Sequence, residues 1–168
     1  RLKVETIRGW GKIAGQQKVS VATDNGEKII TAENIMKSMF THPEKDRYDF
    51  ELSKKFVAFG KKHNMFIHGH TLIWHSQLAP WMEKIADSTE MKAFMKDHIT
   101  TIVSKYKGRI NSWDVVNEAI DDDSTKYLRN SEWYKICGED FIIKAFEYAH
   151  EADPDAKLFY NDYNTELH

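Results

Sequence analysis

The sequence predicts an α/β fold, a partial (β/α)8 TIM barrel with about half of the barrel in this chain. Short apolar segments typical of strands begin near residues 28, 65, 110 and 157, and helical patterns separate them. Strands joined by helices in this way are parallel, and the intervals are those of a barrel. Polar side chains follow each segment at once, as at the catalytic face of a barrel, whereas a doubly wound sheet usually carries a glycine-rich phosphate loop. A complete barrel needs roughly 250 residues, so these 168 accommodate about half of one.

The first 26 residues do not follow this pattern. Val19 to Thr23, the turn residues Asp24-Asn25-Gly26 and the strand that starts at Lys28 predict a β-hairpin. We therefore separate residues 1–26 from residues 27–168, the N-terminal half of a barrel. The first segment is β-rich and uncertain, and it is a candidate remnant of an accessory or inserted module.

The first strand covers residues 28–31, and a helix or turn that carries polar groups follows over residues 33–39. Asp49 is expected to cap the next helix, which ends near residues 60–64. The buried face of that helix recurs at i, i+4 and i+7, at Leu52, Phe56 and Phe59.

The second strand begins at Met65, and a long helix follows it. Asp87 and Glu90, three residues apart, predict a capping box at the start of this helix, and Gly108 ends it. Its inward face comprises Met91, Met95, Ile99, Ile102 and Tyr106.

The third strand covers residues 110–116, and a single helix capped by Ser131 follows it. That helix ends before Asp153, because the residue before a proline disfavours helical backbone. Its inward face comprises Trp133, Cys137, Phe141, Ala145 and Tyr148. The fourth strand covers residues 157–160.

Composition excludes some function classes. The 24 basic and 26 acidic residues give a net charge of −2, which argues against a nucleic-acid binder. No apolar stretch approaches the roughly 20 residues that span a bilayer, and the first residues lack the apolar run of a signal peptide. The 12% aromatic residues can fill a core or stack on sugar rings.

Two predicted strands end in side chains suited to acid–base chemistry. The strand from Met65 leads towards His70 and Trp74, and the third strand delivers Asn117 and Glu118 side by side. A carboxyl group at the end of a strand is placed for proton transfer. This arrangement predicts an enzyme.

Four motifs in this order resemble those of the endo-β-1,4-xylanases of glycoside hydrolase family 10. They are Thr31-Ala-Glu-Asn-Ile-Met-Lys37, Gly69-His-Thr-Leu-Ile-Trp-His-Ser-Gln77, Trp113-Asp-Val-Val-Asn-Glu-Ala119 and Tyr160-Asn-Asp-Tyr-Asn164. The resemblance covers roughly residues 28 to 166, which would be strands two to five of the family's barrel. It does not reach residues 1 to 26.

The resemblance implies hydrolysis of internal β-1,4-xylosidic bonds in xylan with retention of configuration. Glu118 would be the general acid and base, and Asn117 would hydrogen-bond the sugar 2-hydroxyl. A retaining enzyme also needs a second carboxylate roughly 5 to 5.5 Å away to attack the anomeric carbon. Asp114 would orient this cluster together with His70. No metal and no organic cofactor are implied.

The same resemblance assigns residues to substrate binding on both sides of the cut. Asn161 and Tyr163 would lie near the cleavage point and its leaving-group side, and His70 would also belong to the substrate-binding residues. The non-reducing side would be bound by Glu33, Asn34, Lys37, Trp74 and Gln77.

The family's nucleophilic glutamate, carried on the seventh strand, has no counterpart in these residues. Asp162 and Glu166 are the late carboxylates, and the resemblance makes both structural. We expect this chain alone to be inactive, and a second polypeptide to carry the remaining strands. A half-barrel would otherwise expose two parallel strand edges. Family resemblance also predicts a secreted, periplasmic or cell-surface location.

Two alternatives remain open at this point. His68 and His70 have the spacing of ligands in some metal-dependent barrel hydrolases, with Asp114 or Asp162 as further ligands. The absence of the nucleophile also leaves a non-catalytic carbohydrate-binding or assembly fragment as an alternative.

Overall fold

The computed structural model describes residues 9–13, 18–23 and 28–163, with side chains described from residue 28 onward. The described strands form one six-stranded sheet in the order β1-β2-β3-β4-β5-β6. They are β1 (Gly9–Ile13), β2 (Lys18–Thr23), β3 (Lys28–Ala32), β4 (Phe66–Trp74), β5 (Ser112–Asn117) and β6 (Lys157–Asn161). The helices are α1 (Ser38–Thr41), α2 (Glu51–Lys62), α3 (Ser88–Lys105), α4 (Glu132–Cys137) and α5 (Asp140–Ala152), and a 3-10 turn covers Met82–Lys84.

Strands β3 to β6 are parallel neighbours joined by helices, which confirms the prediction of a partial barrel. One boundary differs in a way that matters for the site. β4 continues to Trp74, so His70 lies within this strand and not after it. β5 pairs with this extension as far as Trp74, with a register shift between His70 and Ile73.

The N-terminal strands join the same sheet. β2 pairs antiparallel with β3, with Val19 opposite Thr31 and Val21 opposite Ile29, which confirms the hairpin pairing. The predicted turn, Asp24-Asn25-Gly26, lies outside the described residues. The expectation of two exposed parallel edges is wrong, because β2 covers the outer edge of β3. A domain boundary between residues 26 and 27 stays a prediction.

Two predicted helix starts are confirmed by hydrogen bonds. The Asp87 carboxylate accepts from the Glu90 backbone N–H at 2.8 Å, and Ser131 Oγ accepts from the Tyr134 N–H at 3.2 Å. These caps satisfy donors that the first turn of a helix leaves unpaired. Asp49 accepts from the Glu51 N–H at 3.0 Å, but it lies one residue before the cap position of α2, which Phe50 occupies without a side-chain hydrogen bond.

Two helix predictions are wrong. The single helix after Ser131 is divided into α4 and α5 at Gly138, whose φ of 72° no continuous helix permits. Leu52 is 50% exposed, because α2 turns Ser53, Phe56, Val57 and Gly60 inward instead. The close approach at Gly60 explains the rotation, since a Cβ there would lie 2.6 Å from the Ile67 side chain.

Two tryptophans fix the sheet against the helices. Gly69 of β4 is paired with Trp113 of β5, and a Cβ at Gly69 would lie 2.2 Å from the Trp113 ring. Trp133 of α4 donates its indole N–H to the Trp74 carbonyl at 2.9 Å. The end of β4 is therefore held by a helix from the following unit.

A buried histidine pair lies in the helical layer. His42 and His98 are 1% and 0% exposed, and their Nδ1 atoms are 3.2 Å apart. Burial, with a smaller contribution from His42, lowers the pKa of His98 to about 3. Burial also lowers the pKa of His42, against the opposing effect of its hydrogen bond with the Lys45 carbonyl. Both rings are neutral at pH 7.

We expect stability to fall as the pH drops below 6.5, because the unfolded chain then protonates His98 and the folded chain does not. At pH 5, His98 alone would reduce the free energy of unfolding by about 2 kcal/mol relative to pH 7. Urea unfolding of wild-type protein and His98→Gln at both pH values measures this. The variant should show a shallower pH dependence, whereas the exposed His150→Gln serves as the control. An unchanged pH dependence in His98→Gln would contradict the assignment.

Candidate active site

The carboxyl ends of β4, β5 and β6 meet in register. Trp74 is paired with Asn117, and Asn117 is paired with Asn161, so the last residues of three neighbouring strands lie side by side. Parallel strands bring their carboxyl ends to one edge of the sheet, which is where barrel enzymes place their reactive groups.

Glu118 lies one residue beyond β5, with a φ of 53°. Its carboxylate accepts a hydrogen bond from the Trp74 indole N–H at 2.7 Å, and its backbone N–H donates to the Asn161 carbonyl at 2.8 Å. The side chain is half-buried. The carboxyl group is therefore fixed at the edge of the Trp74 ring and remains reachable from outside.

Asn117 is 2% exposed, and its Oδ1 accepts from Asn161 Nδ2 at 2.6 Å. This bond joins two predicted site residues on neighbouring strands and fixes the orientation of the Asn117 amide. Asn161 itself is exposed at the end of β6.

Asp114 binds both histidines of the predicted cluster. His68 Nε2 and His70 Nδ1 lie 2.9 Å and 2.8 Å from the same Asp114 oxygen, and His68 Nδ1 lies 2.7 Å from Ser112 Oγ. Burial raises the pKa of Asp114, but the hydrogen bonds from His68 and His70 outweigh burial and lower it overall. Asp114 therefore carries a negative charge beneath the site.

In this arrangement the two histidines of the predicted metal site contact Asp114. His68 and His70 direct ring nitrogens at one carboxylate oxygen within hydrogen-bonding distance. Within the side chains described, residues 28–163, no group of three or more His, Cys, Asp or Glu side chains has a geometry that could hold a metal ion.

The residues that follow β3 meet the end of β4. Lys37 is 7% exposed; its Nζ donates to Asn34 Oδ1 at 2.8 Å and lies 4.3 Å from the centre of the Trp74 ring. Burial lowers the pKa of Lys37, while the negative charges of Glu33 and Glu118 oppose that change. Lys37 thus lies against Trp74, with Asn34 bonded to it and the charges of Glu33 and Glu118 close enough to act on it.

Two predicted residues lie further out. Gln77 is exposed, and its backbone carbonyl accepts from Ser38 Oγ and the Met39 N–H, both at 3.3 Å. Tyr163 is 42% exposed, and its hydroxyl donates to Asp122 at 2.6 Å. Both lie at the rim of the central group.

Sequence reasoning missed Arg129 and His75. Arg129 donates to the Glu118 carbonyl at 3.2 Å from eleven residues along the chain. His75 lines a small cavity with Trp74, Asn117 and Glu118, and burial and the charge of Arg129 lower its pKa. Arg129 lies in an irregular loop, so no periodic pattern could indicate its role; His75 was within a motif but next to stronger candidates.

We expect Asp114→Asn to destabilise the protein by about 2 kcal/mol, because it weakens two hydrogen bonds to a buried charge. Thermal unfolding at pH 7 measures this loss. Asp155→Asn, which changes an exposed carboxylate at the other end of the sheet, should leave the midpoint unchanged. Equal midpoints for the two variants would show that the His68–Asp114–His70 group contributes nothing to stability.

Comparison with known proteins gives a consistent result. The protein family described as Glycosyl hydrolase family 10 matches residues 2–168, including the segment that the four motifs do not reach. The chain is 49% identical over 137 residues to a Beta-1,4-xylanase of Dictyoglomus thermophilum, covering 82% of this chain and 39% of that protein. It is 46% identical over 154 residues to Endo-1,4-beta-xylanase A of Xylanibacter ruminicola, covering 89% of this chain and 41% of that protein.

Solved structures agree with the sequence comparison. Xylanase 10B from Thermotoga petrophila RKU-1 in complex with xylobiose superposes with a TM-score of 0.78 at 50% identity, over 81% of this chain and 41% of that one. Native xylanase 10B from Thermotoga maritima superposes with a TM-score of 0.78 at 49% identity, over 81% of this chain and 42% of that one. The chain thus spans about two fifths of the length of its relatives. With a family match along almost its entire length, the chain belongs to glycosyl hydrolase family 10.

Proposed function

We propose that this chain forms part of an endo-β-1,4-xylanase that cleaves internal xylosidic bonds of xylan with retention of configuration. The observation that carries the proposal is the carboxyl group of Glu118, held by the Trp74 indole at 2.7 Å beside the Asn117–Asn161 pair. The relatives named above are xylanases, and this chain corresponds to about two fifths of each.

Glu118 performs two proton transfers in this proposal. It first donates its proton to the departing glycosidic oxygen, and it then accepts a proton from the water that hydrolyses the covalent glycosyl intermediate. The Trp74 bond holds the carboxyl group in one position for both steps. Asn117, oriented by Asn161, donates to the sugar 2-hydroxyl. The nucleophilic carboxylate comes from a segment outside these residues, and no metal or organic cofactor takes part.

Substrate is bound on both sides of Glu118. Lys37, Asn34 and Glu33 present charged and polar groups next to the Trp74 ring, which suits the hydroxyls and the apolar face of a xylose unit on the non-reducing side. Gln77 extends this side at the rim. Asn161 and Tyr163 contact the leaving-group side, and His70, bound to Asp114 at 2.8 Å, helps to orient the group of side chains around Glu118.

Xylan is a polymer too large to enter a cell, so we place the enzyme outside the cytoplasm, as a secreted, periplasmic or cell-surface protein. Of the helices in the described part of the chain, none has the length and apolarity to cross a membrane.

Replacing the proposed acid tests the mechanism in the complete barrel. Glu118→Ala should reduce hydrolysis of xylan by about 1000-fold, because general acid catalysis contributes on this scale. Activated aryl xylosides should lose much less in the glycosylation step, because a good leaving group does not need the proton. The values of kcat/KM on both substrates measure this, because kcat/KM excludes the later hydrolysis of the glycosyl intermediate, and Glu151→Gln on the exposed face of α5 is the matched control. An equal loss on both substrates would contradict the role of Glu118.

The two alternative functions are separated by simple measurements. Xylan hydrolysis should survive dialysis against a chelator; loss of activity with restoration by one equivalent of metal would favour the His68–His70 site. A non-catalytic fragment would show no xylan hydrolysis in any assembly that contains this chain.

The sheet ends at β6, next to an apolar groove of about 540 Å³. Tyr127 and Ile143, which line it, are 71% and 61% exposed. We propose that the remaining strands of the barrel cover β6 and this groove, carried either on a second polypeptide or on a further part of the same one. Exposed apolar surface of this kind drives association in water.

The isolated 168-residue chain should therefore self-associate, whereas association with the rest of the barrel should produce activity. Ile143→Lys should weaken that association, measured by recovered xylanase activity after mixing. Leu52→Lys is the matched control, because Leu52 is similarly exposed, at 50%, on the outer face of α2. A stable, soluble monomer of 19.7 kDa for the isolated chain would contradict the proposal.

A further inference from the structure

Arg129 lies in the connection between β5 and α4, and its side chain is partly buried, with 19% exposed, whereas its carboxylate partner, Asp122, is 60% exposed. A partly buried guanidinium needs several hydrogen-bond acceptors, because desolvation of its charge is costly. Counting the bond from its own backbone N–H, three of the five acceptors that Arg129 uses are carbonyl groups of the segment that begins at Glu118.

Arg129 binds three consecutive carbonyl groups. Its Nε donates to the Glu118 carbonyl at 3.2 Å, its backbone N–H donates to the Ala119 carbonyl at 2.7 Å, and its terminal nitrogen donates to the Ile120 carbonyl at 3.1 Å. The planar guanidinium presents its donors in a fixed geometry. The backbone that follows Glu118 is therefore held in one conformation.

The other side of this segment is held by Tyr160. Its hydroxyl accepts from the backbone N–H of Ala119 at 3.1 Å and from that of Ile120 at 3.2 Å. Glu118 has a φ of 53°, a conformation that a residue other than glycine holds only when its surroundings enforce it. Arg129 stabilises this conformation through the carbonyl groups of the segment, and Tyr160 stabilises it through the N–H groups.

Arg129 also connects Glu118 to the rim of the site. Asp122 accepts from Arg129 at 3.1 Å and from the Tyr163 hydroxyl at 2.6 Å, and Arg129 donates to that hydroxyl at 3.2 Å. One side chain thus contacts both the backbone of the acid and the tyrosine on the leaving-group side.

We propose that Arg129 is a positioning residue for the general acid: it fixes the turn at Glu118, and hence the direction of the carboxyl group, and joins that turn to Tyr163. The proposal rests on the proposed function. Arg129 touches no reacting atom and acts through Glu118, so its loss should affect proton donation more than it affects binding or attack at the anomeric carbon.

Arg129→Met and Arg129→Lys in the complete barrel test this inference. Methionine keeps much of the apolar stem and removes all side-chain donors, whereas lysine keeps the charge and loses the fixed fork. Arg47→Met is the matched control, because Arg47 is also paired with acidic side chains, Glu44 and Asp49, but lies on the surface. The readouts are kcat and KM on xylo-oligosaccharides and on an activated aryl xylobioside, with thermal unfolding measured alongside.

We expect kcat on xylo-oligosaccharides to fall by about 100-fold in Arg129→Met, the scale of a misplaced catalytic group, with KM little changed. For the activated substrate, kcat/KM should fall less than about fivefold, because kcat/KM reports the glycosylation step, in which a good leaving group does not depend on Glu118 for a proton. Arg129→Lys should not restore the rate, and Arg47→Met should match wild type. Equal losses on both substrates, or wild-type kinetics in Arg129→Met, would overturn the proposal.

Asp122→Asn keeps the inference testable if Arg129→Met does not fold. It removes the charge that both Arg129 and Tyr163 bind. The ratio of kcat/KM on xylo-oligosaccharides to kcat/KM on the activated substrate should fall, by a smaller factor than in Arg129→Met. An unchanged ratio would also overturn the proposal. Failure of the proposed function looks different: wild-type protein would then cleave no xylan, or Glu118→Gln would cleave it as well as wild type.

Discussion

The in-register alignment of three strand ends is the constraint on which the rest of the site depends. Trp74, Asn117 and Asn161 are neighbours because β4, β5 and β6 are parallel and stay paired to their last residues, beyond the register shifts between His70 and Ile73 and between Asp114 and Val116. Each residue then hydrogen-bonds across the strands: the Trp74 side chain to Glu118, and the Asn161 side chain to Asn117. A shift of one residue in any strand would turn one of these side chains to the opposite face of the sheet.

Two buried charged residues, Asp114 and Lys37, flank this arrangement. Asp114 lies under the site with two histidines on one of its oxygens, and Lys37 lies against Trp74 with carboxylates nearby. Each of these charges is costly to bury unless its partners are in place. The cluster is therefore well defined only when β3, β4 and β5 are all assembled, which links folding of the half-barrel to the geometry of the proposed acid.

Local signals predicted much of the fold. Asp87 and Ser131 cap helices because a short polar side chain before a helix binds its free N–H groups wherever the helix lies in the protein. The inward face of α3 followed from its period, and Met91, Met95, Ile99 and Ile102 are all buried. Leu52 was misplaced because two apolar faces fit the period of α2, and the packing of Gly60 on Ile67 selected the other one.

The sequence by itself determined the element types, their parallel order and most of the residues around the proposed acid, because periodicity, caps and four motifs are short-range patterns. The tertiary structure alone decided which of the distant groups touch. Two histidines share one oxygen of Asp114, Trp133 binds the carbonyl of Trp74, and Arg129 binds the carbonyl of Glu118. These contacts depend on how separate strands and loops are brought together, and two of them use backbone carbonyls, which every residue possesses, so no pattern of residue types records them.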